Sequence, residues 1–225
     1  MNIEMIFVQG GTFLMGSPES EAGRWNDERQ HEVTLHDFYI GKYPVTQAQW
    51  VAVMGNNPSH FKGDDLPVEN VSWNDTQEFI QKLNDLTGKA YRLPTEAEWE
   101  FAARGGTQSK GYLYAGSDDL NEVAWWYKNS NSRTRPVGRK KPNELGLHDM
   151  SGNVWQWCND WYGDYPAEPQ INPTGPDSGG YRVIRGGSWI NVAQHCRSAL
   201  RYDREPTYRD NYVGFRIALA PQSVG

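Results

Sequence analysis

Apolar and polar positions along this chain alternate in short bursts and seldom hold one period for long. The opening "EMIFVQGGTFLMGS" has apolar runs on either side of Gly10 and Gly11, the pattern of two short strands around a turn. "HEVTLHDFYIGKYPVT" holds another strand, with Val33, Leu35 and Phe38 as its apolar positions. Helical spacing then appears three times, each time behind a capping signature. Thr46 and Gln49 form a capping box ahead of "WVAVM", and Gly55 is placed to end that helix in a left-handed conformation. In "SWNDTQEFIQKLNDLTGKA", Phe79, Ile80, Leu83 and Leu86 recur at helical spacing behind Ser72 or Asn74 as N-cap. Thr95 and Glu98 form a second box in "RLPTEAEWEFAARGG", which closes at Gly105. Beyond Gly105 no period persists, and "GYLYAG", "VAWWY" and "RTRPVGRKKPNELGLHDM" are short pieces between turn residues. No internal repeat, low-complexity tract or linker divides the chain, so residues 1–225 read as a single domain.

Composition sharpens this into a loop-rich α+β expectation. Only 37% of residues are apolar, yet there are 10 Trp, 12 Tyr and 7 Phe, so large rings must fill much of the core. The 23 Gly and 13 Pro weigh against long helices and wide sheets. A net charge of −6 argues against nucleic acid as a partner. The 2 Cys allow at most one disulfide, and neither a CxxC nor paired histidine spacing suggests zinc. No apolar run approaches the roughly 18 residues of a membrane span, so membrane insertion is not expected. The N-terminus lacks a basic region followed by an apolar run, so the chain as it stands reads as cytoplasmic; a surface or secreted location would need a leader ahead of it.

The blocks "VQGGTFLMGS", "YPVTQAQW", "LPVENVSWNDTQEF", "YRLPTEAEWEFAARGG", "NELGLHDMSGNVWQWCNDWY", "RVIRGGSW", "CRSALR" and "VGFRIAL" follow one another in the order seen in the formylglycine-generating enzyme (sulfatase-modifying factor) family. The chain resembles that family from about residue 5 to residue 219. The resemblance implies a C-type-lectin-like fold with short strands and about three helices. It also poses a chemical question, because the family's oxidase uses copper, oxygen and two cysteines that follow the Gly-Gly-Ser-aromatic block. The first comes two residues after the aromatic and the second five residues later. Here the aromatic is Trp189 and Asn191 stands two residues on, while Cys196 is matched with a later cysteine that does no chemistry. One thiol flanked by amides and a histidine does not make the soft, two-thiolate site that Cu(I) favours, so no copper is expected. Trp155 and Ser188 keep the wall of the family's oxygen pocket. A catalytic role for Cys196 alone would need a base and an orienting group, and neither is assignable; a small buried hydrophobe is the plainer role for it and for Cys158.

The resemblance also implies one Ca²⁺ site in "LGLHDMSGNVWQW". Its ligands would be Asp149, the carbonyls of Gly152 and Val154, and Gln156, which replaces the family's usual Glu. The plainer alternative is a turn braced by Asp149 and Asn153 through local hydrogen bonds.

Residues 185–217 hold what reads as the binding segment. Scaffold-like residues such as Arg185, Gly186, Trp189, Arg197 and Arg201 alternate with Ile190, Asn191, Val192, His195, Leu200, Tyr202, Asp203, Arg204, Glu205, Thr207, Tyr208, Asp210, Asn211 and Tyr212. That second set follows no helix or strand period and mixes tyrosines with small polar and charged residues, the composition of an adaptable contact surface. Its spacing is similar to the variable region of diversity-generating retroelement proteins, which alter adenines in Asn-type codons; every interleaved residue except Glu205 meets that test. The leading expectation is therefore a non-catalytic domain that binds another protein or a surface ligand. A formylglycine-generating-type copper oxidase or other oxidoreductase of the sulfatase-modifying factor family, or an accessory domain of a larger complex, are the alternatives.

Overall fold

The computed structural model describes residues 3–221. Its helices begin where the sequence predicts. Helix α1 (Gln47–Met54) starts at the Thr46/Gln49 box and ends at Gly55 with φ 76°. Helix α2 (Trp73–Thr87) is capped by Ser72, whose hydroxyl takes the Asp75 amide N–H while the Asp75 carboxylate reaches back. Helix α3 (Glu96–Ala103) starts at the Thr95/Glu98 box; Arg104 is its C-cap, and the left-handed residue is Gly105. The α2 stripe ends sooner than its spacing predicts: Phe79, Ile80 and Leu83 are buried, but Leu86, in the last turn, is 67% exposed. A single-turn helix, α4 (Leu120–Val123), lies in the region without a period and is too short to show one.

The strands are short and their partners are mostly distant. Strands β1 (Met5–Val8) and β2 (Gly11–Met15) flank the Gly-Gly turn but do not pair with each other. The single strand expected next is two, β3 (His31–Leu35) and β4 (Phe38–Gly41), with β1 antiparallel to β4 and β2 antiparallel to β3. A Cβ on Gly10 would sit 2.3 Å from the Leu35 carbonyl oxygen, so the chain can pass between sheets there only without a side chain. The remaining strands are β5 (Tyr91–Arg92), β6 (Trp155–Trp161), β7 (Gln170–Ile171), β8 (Arg182–Arg185), β9 (Arg201–Arg204), β10 (Val213–Phe215) and β11 (Ala218–Leu219). They complete sheets of order β1-β4-β11-β5, β10-β6-β8-β9 and β2-β3-β7.

Rings and arginines hold this irregular backbone together. Trp50 stacks on Phe79 with centroids 5.2 Å apart, and Phe215 meets both rings edge-on. Every residue of α3 is buried, including Glu96, Glu98 and Glu100, so each carboxylate must find a cation. Arg185 reaches Glu96 at 3.0 Å and Glu100 at 2.5 Å, Arg201 grips Glu96 at 2.7 Å, and Arg104 takes Glu100 at 2.8 Å. Arg92 holds Glu98 with both terminal nitrogens at 2.6 Å. Arg197 is likewise buried against Glu28 and Glu21. Among the described residues no helix is long and apolar enough to cross a membrane.

Candidate functional site

Strand β9 serves two sides of the molecule because successive side chains point to opposite faces. It pairs antiparallel with β8, Arg185 opposite Arg201 and Ile184 opposite Tyr202. Arg201 turns inward to Glu96, whereas Tyr202 turns outward to Trp25 and Trp155, with ring centroids 5.7 and 5.8 Å away. Arg204 shares the Tyr202 side, its guanidinium lying 4.6 Å from the Tyr202 ring and 4.9 Å from the Tyr208 ring. The Tyr208 and Tyr212 hydroxyls bond to each other, and Tyr208 also donates to Asp210 at 2.8 Å. Together Trp25, Trp155, Ile190, Asn191, His195, Tyr202, Arg204 and Tyr212 wall a cavity of about 330 Å³.

The loop before β9 finishes the wall. Asn191 accepts the Ser188 hydroxyl at 2.5 Å, and its amide nitrogen lies 3.1 Å from His195 Nδ1. Burial, and then the Arg197 charge, lower the His195 pKa, so this imidazole is neutral at pH 7. Trp25 meets the His195 ring edge-on at 5.7 Å. Burial raises the pKa of Tyr212, and its bond to Tyr208 adds to this. Arg204 stays firmly cationic: burial opposes the charge, but the surrounding Tyr202, Tyr208 and Tyr212 outweigh it.

The predicted ligand-contacting residues separate into groups. Ile190, Asn191, His195, Tyr202, Arg204 and Tyr212 line the cavity, and Tyr208 supports Arg204 from behind. Val192, Glu205 and Thr207 are exposed beyond its wall, Asp210 is spent on Tyr208 and on the Asn211 amide, and the Asn211 carbonyl accepts the Trp189 indole N–H. Asp203 falls on the inward side of β9 with Arg201. Leu200 must be corrected: it is fully buried in the core with Phe79, Trp157 and Phe215, at the point where the chain enters β9. Trp25 went unpredicted; an aromatic alone in the polar stretch "GSPESEAGRWNDERQ" is the signal that could have found it.

The thiols are held away from chemistry. Cys196 and Cys158 are free, fully buried and in separate core clusters. Burial pushes the Cys196 thiol up to about 12 and the Cys158 thiol well above its ordinary range. Cys196 lies five residues beyond Asn191 and so stands at the spacing of the oxidase's second cysteine, not of a later one as its arginine block suggests. The first position is Asn191, an amide already bonded on both sides.

The turn at residues 149–156 is built around Arg216. Asp149, Gly152 and Asn153 adopt positive φ of 54°, 77° and 64°. Gln156 Oε1 accepts from Trp99 Nε1 at 2.8 Å and from Arg216 Nε at 2.6 Å, while its amide nitrogen donates to the Asp149 carbonyl at 2.7 Å. Asp149 accepts from the Gly138 amide N–H at 2.8 Å, and burial raises its pKa. Of the proposed calcium ligands, Gln156 therefore turns its oxygen to donors, one of them cationic, and this arrangement does not fit a cation. Among the described residues no group of three or more His, Cys, Asp or Glu is placed to hold a metal ion.

A second cavity, of about 360 Å³, lies on the inward side of β9 and includes His31, Glu96, Asp160, Tyr165 and Arg201. Its charged groups are largely committed to one another: Glu96 to Arg185, Arg201 and Tyr165, and one Asp160 oxygen to the Glu96 amide N–H at 2.9 Å. The aromatic cavity has fewer such ties, and it is the one that the interleaved segment surrounds.

Comparison with known proteins gives the family and the fold. Residues 1–221 match the family model "Sulfatase-modifying factor enzyme 1-like domain". The chain is 35% identical to the chaperone protein LppX of Paenibacillus barcinonensis over 238 aligned residues, covering 84% of this chain and 79% of LppX. It is 39% identical to the formylglycine-generating enzyme of Streptomyces coelicolor over 171 residues, covering 68% of this chain and 52% of the enzyme, so it spans about half of that protein. Among solved structures, Treponema denticola variable protein 1 superposes with a TM-score of 0.89 at 34% identity, covering 96% of this chain and 95% of that one. With its C-type-lectin-like fold of short strands, the chain belongs to the sulfatase-modifying factor family.

Proposed function

We propose that this protein is a non-catalytic binding domain that engages another protein, or a ligand on a surface, through the aromatic face around Tyr202. The observation that carries this reading is the gathering of Trp25, Trp155, Tyr202 and Tyr212 with Arg204 around one cavity. Large rings give contact area at little entropic cost, and a cavity lined by them anchors a partner's side chain. The lack of a second thiol beside Cys196 supports the non-catalytic part. Likeness to a protein named variable supports a further step, that residues 190–212 are the product of diversification.

Deep sequencing of the gene across a cultured population tests that step. Substitutions should cluster at Ile190, Asn191, Tyr202, Arg204 and Tyr212, while Gly186, Trp189, Cys196 and the buried Leu200 stay fixed, with a near-copy of the segment nearby. An invariant segment without a copy overturns diversification. The oxidase alternative is tested separately, by mass spectrometry of a cysteine-containing sulfatase-type peptide after incubation with the protein, copper and oxygen. An unchanged peptide is expected, and conversion of its thiol to an aldehyde would overturn the non-catalytic reading.

A further inference from the structure

Within residues 185–217, Arg204 and the fully buried Arg216 lack the acidic partner that Arg185, Arg197, Arg201 and Arg209 have among the described residues, and Arg204 is the one of the two that reaches the surface. Arg185, Arg197 and Arg201 each meet glutamates in the interior. Among the described residues no carboxylate lies within ion-pair distance of Arg204. Its guanidinium rests instead on the Tyr202 and Tyr208 rings, and Nη1 donates to the Asp203 carbonyl at 3.0 Å. The nearby acids do not pair with it: Asp210 accepts from Tyr208 and from the Asn211 amide, and Asp203, on the other side of the strand, feels the Arg204 charge but makes no ion pair with it. With His195 neutral, Arg204 is the one formal charge on the cavity wall among the described residues.

We propose that the partner is a protein segment in which an acidic residue adjoins a large apolar one. The carboxylate seats on Arg204 while the apolar side chain enters the cavity between Trp25, Trp155 and Tyr202. This rests on the reading of that face as a binding surface. A guanidinium is a planar fork that matches a carboxylate in two parallel hydrogen bonds, and rings beneath it fix the plane of the fork before the partner arrives. A cavity of about 330 Å³ is at the small end of ligand sites, suited to one or two side chains. Ile190 and Val192, 46% and 50% exposed, extend apolar contact beyond the rim, which a polypeptide can cover and a lone small acid cannot. The net charge of −6 does not oppose this, because at physiological salt charges beyond roughly 8 Å are largely screened and the local guanidinium dominates.

The experiment is selection of a display library of random dodecapeptides on the whole protein. Binding of the enriched peptides is then measured by fluorescence polarisation to wild type, Arg204→Met, Arg204→Lys and Tyr202→Ala. Enriched peptides should carry Asp or Glu beside Trp, Phe or Leu. Arg204→Met should weaken them by roughly tenfold or more, and Arg204→Lys, which keeps charge without the fork, by less. Val192→Asp and Val192→Lys, at an exposed rim position that leaves the core untouched, should weaken and strengthen binding respectively. Peptides that lose affinity with Tyr202→Ala but lack acids and ignore Arg204 would overturn the carboxylate and leave the binding face standing. Enriched peptides indifferent to Tyr202, Arg204 and Val192, or no enrichment at all, would overturn both.

Discussion

Replacing Arg185 by Met tests whether buried charge compensation holds this fold together. Arg185 is fully buried, and Met preserves much of its length without its charge. The substitution removes the contacts to Glu96 at 3.0 Å, to Glu100 at 2.5 Å and to the Ser198 carbonyl at 2.7 Å. Glu96 keeps Arg201 and Glu100 keeps Arg104, but Glu100 Oε2, which accepts from Arg185, is left buried without a donor among the described residues, because Arg104 and the Gly16 amide N–H both bond Oε1. Breaking a buried pair from one side costs about 3–5 kcal/mol. For urea unfolding, with m near the upper end of about 1–3 kcal/mol/M, the midpoint should fall by roughly 1–2 M. Adding Glu100→Gln removes the stranded carboxylate and should restore part of that loss, so the two substitutions are not additive. A midpoint that moves by less than about 0.3 M, or a double variant whose losses simply add, would refute compensation as the basis of the α3 packing.

Burial, and then Glu96, push the Asp160 carboxyl up to about 8, so the folded form keeps its proton where the unfolded chain has lost it. Stability from this group is therefore lost as pH rises from about 4 to about 8, and Asp160→Asn should gain on wild type across that window in urea titrations; parallel pH profiles would show that Asp160 is ionised throughout. Cys158 and Cys196 should react with a thiol reagent only as fast as the protein unfolds, and rapid labelling of either in the native state would contradict their burial. Millimolar calcium or a chelator should leave the thermal midpoint unchanged, because Gln156 is held by Trp99 and Arg216; a calcium-dependent rise of several degrees would reinstate Asp149, Gly152, Val154 and Gln156 as ligands.

What could be read in advance divides by the range of the interaction that decides it. The caps at Thr46, Ser72 and Thr95 were legible because each is completed within three residues. The separation of β1 from β2 was not, since it depends on how closely Gly10 approaches Leu35, on a strand later in the chain. Leu200 was assigned to the surface because it sits among exposed positions without a period, yet it packs at the entry to β9. Trp25 reaches the site because Arg197 fastens the loop before it, taking the Gly23 carbonyl and, on either side, Glu21 and Glu28, with Gln194 also on the Gly23 carbonyl. That contact spans most of the chain, and its local trace is no more than one aromatic alone in a polar stretch.

The same arginines supply what the proposed diversification requires, a scaffold that holds while one face changes. A sheet held by ladders alone would transmit a substitution at Tyr202 along β8 and β6. Here the inward side of β9 is fixed by Arg201 on Glu96, and the strand beside it by Arg185 on Glu96 and Glu100. Buried ion pairs of this kind contribute little net stability but penalise displacement of either partner heavily. The outward side chains Tyr202 and Arg204 share a strand with this network but none of its bonds, so exchanging them alters the cavity without unbalancing the charges beneath. Leu200 and Trp189 have no such freedom, because each is buried and the Trp189 indole is tied to the Asn211 carbonyl. Under the proposed diversification, the boundary between exchanged and fixed positions would therefore follow side-chain direction along β9 and its entry loop.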